Sequence, residues 1–210
     1  MKYRTVQRLR LVSQVAFLAL FATLAALGRV QLWLPVFLLG LVASLVLGRL
    51  YCGWACPMGT LFRPANRLTS WLRLPRLRPP RFLQARGVRW VFVAALIGAM
   101  VISRQMGVEL NLLLWVTAAA VVVTLFVHES FWHTRICPYG TLLSVTTRAA
   151  RRTMRIDEER CKPCGKCRRV CPTHTIATLD TKKRRVLPAE CLLCFNCAEV
   201  CPQDVIRYRT

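Results

Sequence analysis

The sequence predicts an α-helical membrane protein with four transmembrane helices and interfacial amphipathic helices, followed by a small α+β domain. Two observations predict this division. All the long uncharged apolar runs lie within residues 1–154, whereas residues 155–210 are rich in cysteine and charge. Over all 210 residues, a hydrophobic share of 55% accompanies a net charge of +22. Soluble domains rarely combine these properties, whereas integral membrane proteins with basic flanks do.

The predicted spans are Leu11–Leu27, Val30–Leu47, Val88–Ser103 and Val108–Val127. Each approaches the length of about 20 residues that a bilayer requires. A cleaved signal peptide is the alternative for the first run, but the second run follows at once and favours a transmembrane hairpin. Between spans two and three, Pro57–Leu74 carries apolar residues at helical spacing. This spacing predicts an amphipathic helix in the membrane interface.

Basic residues predict the orientation of the spans, because they are retained on the cytoplasmic side. Residues 62–89 contain eight arginines and no acid, and residues 148–185 contain thirteen basic residues against four acids. The two opposite loops offer only Arg29 and Arg104. We therefore expect a multi-pass protein of the bacterial cytoplasmic membrane with both termini in the cytoplasm. Nucleic-acid binding is not expected, because the charge follows the span ends and no nucleic-acid-binding motif accompanies it.

The cysteines of residues 155–210 form two copies of the pattern C-x2-C-x2-C-x3-C-P. In bacterial dicluster ferredoxins, three cysteines of each run hold one 4Fe-4S cluster and the fourth reaches the other cluster. The predicted ligands are Cys161, Cys164, Cys167 and Cys201 for cluster 1, and Cys191, Cys194, Cys197 and Cys171 for cluster 2. A zinc or disulfide site is the alternative, but zinc takes four ligands and leaves no use for eight.

Two half-motifs end the second and fourth spans and form an internal repeat. Cys52 and Cys56 precede Pro57, and His133 and Cys137 precede Pro138. Both half-motifs share Cys-Pro-x-Gly-Thr-Leu, so each cysteine is expected near a helix N-terminus. Two interpretations stay open. The four residues form a third redox or metal site, or the motif is only a turn whose cysteines are small apolar residues.

Spans with repeated C-x3-C-P motifs, followed by a dicluster ferredoxin domain, resemble the NapH-type quinol dehydrogenase membrane subunits, which are related to the membrane parts of NosR and MauN. The resemblance covers nearly the whole chain. It implies a membrane-bound subunit that passes electrons between the quinone/quinol pool and a redox partner through two 4Fe-4S clusters. It also implies other redox subunits of a complex. His133 departs from the family pattern, which has a cysteine there.

Two other functions are compatible with the sequence. A MauN-like maturation or assembly factor would donate electrons to a partner's cofactor-building step. A membrane anchor would use its clusters only for stability. The first three spans contain no histidine, so a haem with two histidine ligands is not expected. Glu129, near the end of span four, either relays protons from quinol or is simply solvated or paired with arginine.

Overall fold

Helices form most of the chain, and the computed structural model describes residues 2–73, 75–77, 79–85, 87–107 and 111–209. Two half-motif helices, Leu50–Trp54 and Glu129–Phe131, are very short, and the second continues into a π-helical turn at Trp132–Ile136. The helices before the cysteine-rich part are α1 Lys2–Ala26, α2 Trp33–Leu47, α3 Leu50–Trp54, α4 Pro57–Trp71, α5 Val88–Gln105, α6 Leu112–Phe126, α7 Glu129–Phe131 and α8 Pro138–Thr146.

Within the described residues, three helical segments are long and apolar enough to cross a membrane, namely Tyr3–Ala26, Val30–Leu47 and Val88–Gln105. The fourth predicted span corresponds to α6, which has 15 residues. At 1.5 Å per residue it measures about 22 Å, less than the bilayer core of about 30 Å. Residues 108–110, where this span is predicted to begin, lie outside the described residues. The number of four spans therefore stays a prediction.

Helix α4 is the predicted amphipathic helix, and it packs against α6 and α1. Phe62 and Ala65 on its apolar side are buried in the protein. Leu68, Trp71 and Leu72, which belong to the same predicted face, are exposed. The first half of the apolar face thus contacts protein, and the last turns leave apolar side chains free to meet the membrane interface.

The cysteine-rich part contains two small antiparallel sheets, one formed by β1 and β4 and the other by β2 and β3. Strand β1 begins at Thr153, two residues before the predicted boundary, and pairs with the last strand of the chain. The elements are β1 Thr153–Ile156, α9 Lys166–Arg169, β2 Ile176–Thr178, β3 Arg184–Val186, α10 Asn196–Glu199 and β4 Ile206–Arg209.

The two cysteine loops repeat the same backbone conformation. The residue before α9 is Gly165, with φ of 72°, and the residue before α10 is Phe195, with φ of 60°. Glycine suits this left-handed conformation, whereas a residue with a Cβ rarely adopts it. The pair His174 and Asp204, which follow the two Cys-Pro sequences, also have positive φ. The duplicated sequence therefore folds as a duplicated structure.

Candidate iron–sulfur sites

Three cysteines of the first copy and one cysteine of the second copy surround a common cavity. This cavity is lined by Cys161, Cys164, Cys167 and Cys201. Cys164 is exposed, and Lys162 and Lys166 lie beside it in the loop. These cysteines are the residues of the first predicted set, and they range from the exposed Cys164 to the buried Cys167.

A second cavity is lined by Cys171, Cys191, Cys194 and Cys197, the residues of the second predicted set. Cys194 and Cys197 are buried. The walls also include the apolar Met154, Ile176, Val186 and Leu192. The hydroxyls of Thr173 and Thr175, which line the same cavity, lie 3.7 and 3.5 Å from the sulfur of Cys171. We call the second set of cysteines enclosed, because none of its four members is exposed, whereas Cys164 of the first set is exposed.

The chemistry of the enclosed cavity fits a cationic group. Burial raises the pKa of Cys191 to about 12, and the negative charge of Cys194 adds to the increase. Burial also raises the pKa values of Cys194 and Cys197, although Arg10 lowers that of Cys194. The thiols of Cys191, Cys194 and Cys197 therefore keep their protons unless a metal centre compensates the thiolate charge. Four sulfurs around one cavity are also the donor set that a 4Fe-4S cluster requires.

The two half-motifs have the same local geometry. The backbone N–H of Cys56 donates to the carbonyl of Tyr51, and that of Cys137 donates to the carbonyl of Trp132, at 2.9 and 2.8 Å. Pro57 and Pro138 then begin α4 and α8. Each proline takes a position where a helix needs no N–H donor. The repeat found in the sequence is therefore a repeated turn in the structure.

Three cysteines of these half-motifs, Cys52, Cys56 and Cys137, share a buried environment. They lie near enough for the charges of Cys52 and Cys137 to contribute to the raised pKa of Cys56, after the larger effect of burial. The side chain of Arg49 is fully buried, and its Nη2 lies 3.8 Å from the sulfur of Cys52. A cation thus accompanies this group of thiols.

His133 is also buried, and its ring packs edge-on against Phe62, with centroids 5.1 Å apart. Burial and the nearby Arg49 lower the pKa of His133 to about 3, so the imidazole is neutral. Among the described residues, no three His, Cys, Asp or Glu side chains form an arrangement that could hold a single metal ion. The eight ferredoxin-type cysteines do not form such a single-ion arrangement either. This is expected of cluster ligands, because each thiolate binds a different iron at a different corner of a 4Fe-4S cluster.

The loop of cluster 2 packs directly on the first half-motif. A Cβ on Gly53 would lie 2.0 Å from the carbonyl oxygen of Leu192. The indole N–H of Trp54 donates to the carbonyl of Leu193 at 3.1 Å. Leu192 itself belongs to the buried cluster of the helical part, together with the half-motif cysteines. The cysteine loop is therefore seated in the helical part of the protein.

Side chains of α1 bind both sides of this contact. Arg10 is buried, and it donates to the carbonyl of Gly53 at 2.9 Å and to that of Cys194 at 3.1 Å. Gln7 donates to the carbonyl of Cys194, and Gln14 donates to that of Gly53, both at 2.9 Å. These bonds fix the cysteine loop against the end of the first apolar helix.

Ion pairs form a second link between the cysteine loop and the helical part. Glu190, directly before Cys191, forms ion pairs with Arg49 and Arg89, each at 3.1 Å. Arg49 follows α2, and Arg89 lies in the first turn of α5. One carboxylate thus connects two membrane helices to the loop of cluster 2.

Sequence reasoning missed the residues that make this junction. Gln14 interrupts the first apolar run, and a polar residue inside a membrane helix is a sign of function. Arg10 and Arg49 appear in the sequence as ordinary basic flanks. Only the structure shows that both are buried and bonded to the cysteine loops.

Two family models match the chain. One, described as a 4Fe-4S binding domain, matches residues 30–76 and 110–156, so each match contains one half-motif. The other, described as a 4Fe-4S dicluster domain, matches residues 153–202. Together with the apolar helices, these matches define a ferredoxin-type 4Fe-4S electron-transfer protein of a membrane.

Among curated proteins, the ferredoxin-type protein NapH of Escherichia coli is 28% identical over 90% of this chain and 73% of its own length. YccM of Escherichia coli is 30% identical, and the match covers 77% of this chain but 51% of YccM. The methylamine utilization ferredoxin-type protein MauN of Methylorubrum extorquens is 27% identical over 75% of this chain and 60% of its own length. The chain thus spans about half of YccM, and no solved structure matches it.

These relatives confirm the resemblance predicted from the motifs. The chain is a homologue of the ferredoxin-type proteins NapH and MauN, of YccM and of the regulatory protein NosR.

Proposed function

We propose that this chain is a membrane-bound electron-transfer subunit that exchanges electrons between the quinone/quinol pool and a redox partner. In this proposal Cys161, Cys164, Cys167 and Cys201 hold one 4Fe-4S cluster, and Cys171, Cys191, Cys194 and Cys197 hold the other. The NapH and MauN relatives are named as ferredoxin-type proteins, which supports the class of reaction.

The observation that carries the proposal is the seating of the Cys191–Cys197 loop on the helical part. Gly53 and Trp54 contact this loop from α3, and Arg10 contacts it from α1. In the first set of cysteines, Cys164 is exposed. We therefore assign the enclosed set to exchange with a membrane reactant, and the set that includes Cys164 to exchange with a partner protein.

When bound, each 4Fe-4S cluster accepts or releases one electron. Quinol releases two electrons and two protons as it becomes quinone, so one quinol matches two clusters. The buried Arg10 and Arg49 place positive charge beside the enclosed cysteines and Cys52. Positive charge favours the reduced, more negative state of a nearby centre. These arginines therefore favour the entry of electrons at the enclosed site, and the reverse reaction uses the same residues.

Four spans with both termini in the cytoplasm complete the proposal. A reporter or cysteine label placed after Thr210 is expected to report the cytoplasm, and one placed in the turn at Arg104–Gly107 the opposite side. Labelling of the C-terminus from the periplasmic side would contradict this topology. It would also place the cysteine loops away from cytoplasmic partners.

The function is tested on protein purified anaerobically with its partner and reconstituted in nanodiscs. Electron paramagnetic resonance should show reduction of both clusters by a quinol, with about two electrons per quinol. Cys164→Ser is expected to leave reduction of the enclosed cluster intact, whereas Cys194→Ser should stop reduction of both. If both variants assemble normally and electron flow is unchanged, the clusters serve only as an anchor.

The maturation factor is the other outcome of this test. Loss of a maturation factor would lower the cofactor content of the partner enzyme. Loss of an electron-transfer subunit would lower only the turnover of the partner enzyme. Absence of any quinone-linked change in the clusters of the intact complex would refute the proposed function.

A further inference from the structure

We propose that a cavity between α1 and α4 binds the head group of a quinone or quinol. This inference rests on the proposed function, and it places the membrane reactant at a defined position in the chain. The cavity has a volume of about 460 Å³, within the range of small-molecule sites. Its walls include Leu11, Leu18, Leu61, Gln14, Thr60 and Arg63.

The polar end of the cavity is formed by a buried amide whose two ends are hydrogen-bonded. Gln14 is 2% exposed, donates to the carbonyl of Gly53, and accepts an N–H from Arg63 at 3.0 Å. A guanidinium has five N–H donors, so the group that bonds Gln14 can also donate to a ligand oxygen. The hydroxyl of Thr60 can accept from a ligand O–H. The site thus offers a donor to quinone and an acceptor to quinol.

The other end of the cavity is apolar and open. Leu11 is 51% exposed and lies at the start of the first predicted span. Leu18 lies two turns further along the same helix, and Leu61 faces the cavity from α4. A ligand with a flat ring and an apolar tail can therefore enter sideways from the bilayer and keep its tail in lipid.

The cavity also adjoins the enclosed cysteine loop. Gln7 lines the cavity and donates to the carbonyl of Cys194 at 2.9 Å. Gln14 reaches the carbonyl of Gly53, which is in contact with Leu192. One side chain therefore separates the ligand from the loop that is proposed to take its electrons.

A phospholipid head group is the rival occupant, because Arg8 and Arg63 also line the cavity and attract phosphate. We favour quinone because the polar end is formed by a buried amide in contact with the redox loop. A phosphate would need only the exposed arginines. The rival is retained as an outcome of the experiment.

The experiment uses the full chain, purified anaerobically in nanodiscs, and a photoreactive ubiquinone analogue. Cross-linked peptides should map to residues 7–18 and 60–64, and unlabelled quinone should compete. Leu11→Trp fills the mouth of the cavity, and overpacking should weaken binding by roughly tenfold or more. Val12→Trp is the matched control, because Val12 is 67% exposed on the same helix and does not line the cavity.

A second pair of variants tests the site independently if Leu11→Trp misfolds. Arg63→Gln removes a charged donor and should raise the half-saturating quinol concentration by roughly ten- to a hundredfold. Arg67→Gln, one turn further along α4, should leave it unchanged. Equal thermal unfolding of all four variants shows that folding is preserved.

The outcomes separate the site from the function. If quinol reduces the clusters of the wild type and of all variants alike, the function stands and this site is refuted. If quinol reduces nothing but the label maps to the cavity, the binding site stands and the proposed function fails. Displacement of the label by an anionic phospholipid as effectively as by quinone would assign the cavity to lipid and overturn the inference.

Discussion

Replacing Gly53 by alanine is expected to separate the cysteine loop from the helical part. The added methyl group would lie 2.0 Å from the carbonyl oxygen of Leu192. An ordinary contact is near 3.5 Å, so the loop must retreat by more than about 1 Å. Gly53 lies in α3, where alanine alone would stabilise the helix by roughly 0.5–1 kcal/mol. Any loss of stability therefore reports the contact and not the backbone.

The magnitude follows from the interactions at the junction. Overpacking costs about 1–3 kcal/mol. Retreat of the loop also weakens the bonds from Trp54 to Leu193 and from Arg10 to Cys194, each worth about 1 kcal/mol. After the helix gain is subtracted, docking should be weakened by roughly 2–4 kcal/mol. Hydrogen exchange of the Leu192–Cys194 amides in the cluster-loaded protein measures this change.

Gly98→Ala is the matched control, because a Cβ at Gly98, within α5, meets no atom within 4 Å. It should leave the exchange of the cysteine loop unchanged and slightly stabilise its helix. The reasoning is refuted if the Leu192–Cys194 amides of the Gly53→Ala variant exchange hydrogen at the wild-type rate. It is equally refuted if both glycine variants slow the transfer of electrons from quinol to the clusters by the same factor.

Two further predictions concern charge at the junction. Glu190→Gln leaves the fully buried Arg49 without its carboxylate, so the free energy of unfolding should fall by roughly 3 kcal/mol in denaturant titrations. Glu158→Gln, which breaks the exposed pair with Arg185, should have a much smaller effect, and similar effects would contradict the argument. Burial, with His174 and Arg76 nearby, lowers the pKa of His128 from 6.5 to about 4. The unfolded chain then binds more protons in this window, so stability should fall as the pH drops from about 6.5 to about 4. His128→Gln should flatten this part of the curve of Tm against pH, and an unchanged slope would exclude His128 as its source.

The coarse organisation could be predicted from the sequence because it depends on long, regular signals. Apolar runs such as Leu11–Leu27 and Val30–Leu47 correspond to long helices in the structure. The eight cysteines stand in a duplicated pattern whose spacing is set by loop geometry, and the family models confirm 4Fe-4S domains in the chain. Patterns of this kind can be recognised in the sequence without knowledge of tertiary contacts.

The junction could not be predicted, because it depends on pairs of residues far apart in the chain. Arg10 and Cys194 are 184 positions apart, and Arg49 and Glu190 are 141 positions apart. Charge near a span end predicts a cytoplasmic flank, and it does not reveal which arginine becomes buried.

The shared sequence Cys-Pro-x-Gly-Thr is largely explained by the turn itself. Thr60 donates to the carbonyl of Cys56 at 3.2 Å, and Thr141 donates to that of Cys137 at 3.0 Å. A Cβ on Gly59 would lie 2.9 Å from the carbonyl of Cys52, and one on Gly140 would lie 3.3 Å from that of His133. Proline, glycine and a hydroxyl side chain therefore suit the local geometry, and Cys52 and His133 occupy equivalent places.

The cysteines are not explained in this way, because serine, threonine or aspartate caps a helix better than cysteine. A 4Fe-4S family model matches both half-motifs, and Arg49 supplies positive charge beside the Cys52 thiol. We therefore expect protein purified anaerobically to contain more iron than the roughly eight atoms of two 4Fe-4S clusters. The Cys56→Ser, Cys137→Ser double variant should return the content to about eight. Thr60→Ser and Thr141→Ser keep the hydroxyl of the turn and serve as controls. If the double cysteine variant has the same iron content as the wild type, the half-motif cysteines are only buried apolar residues.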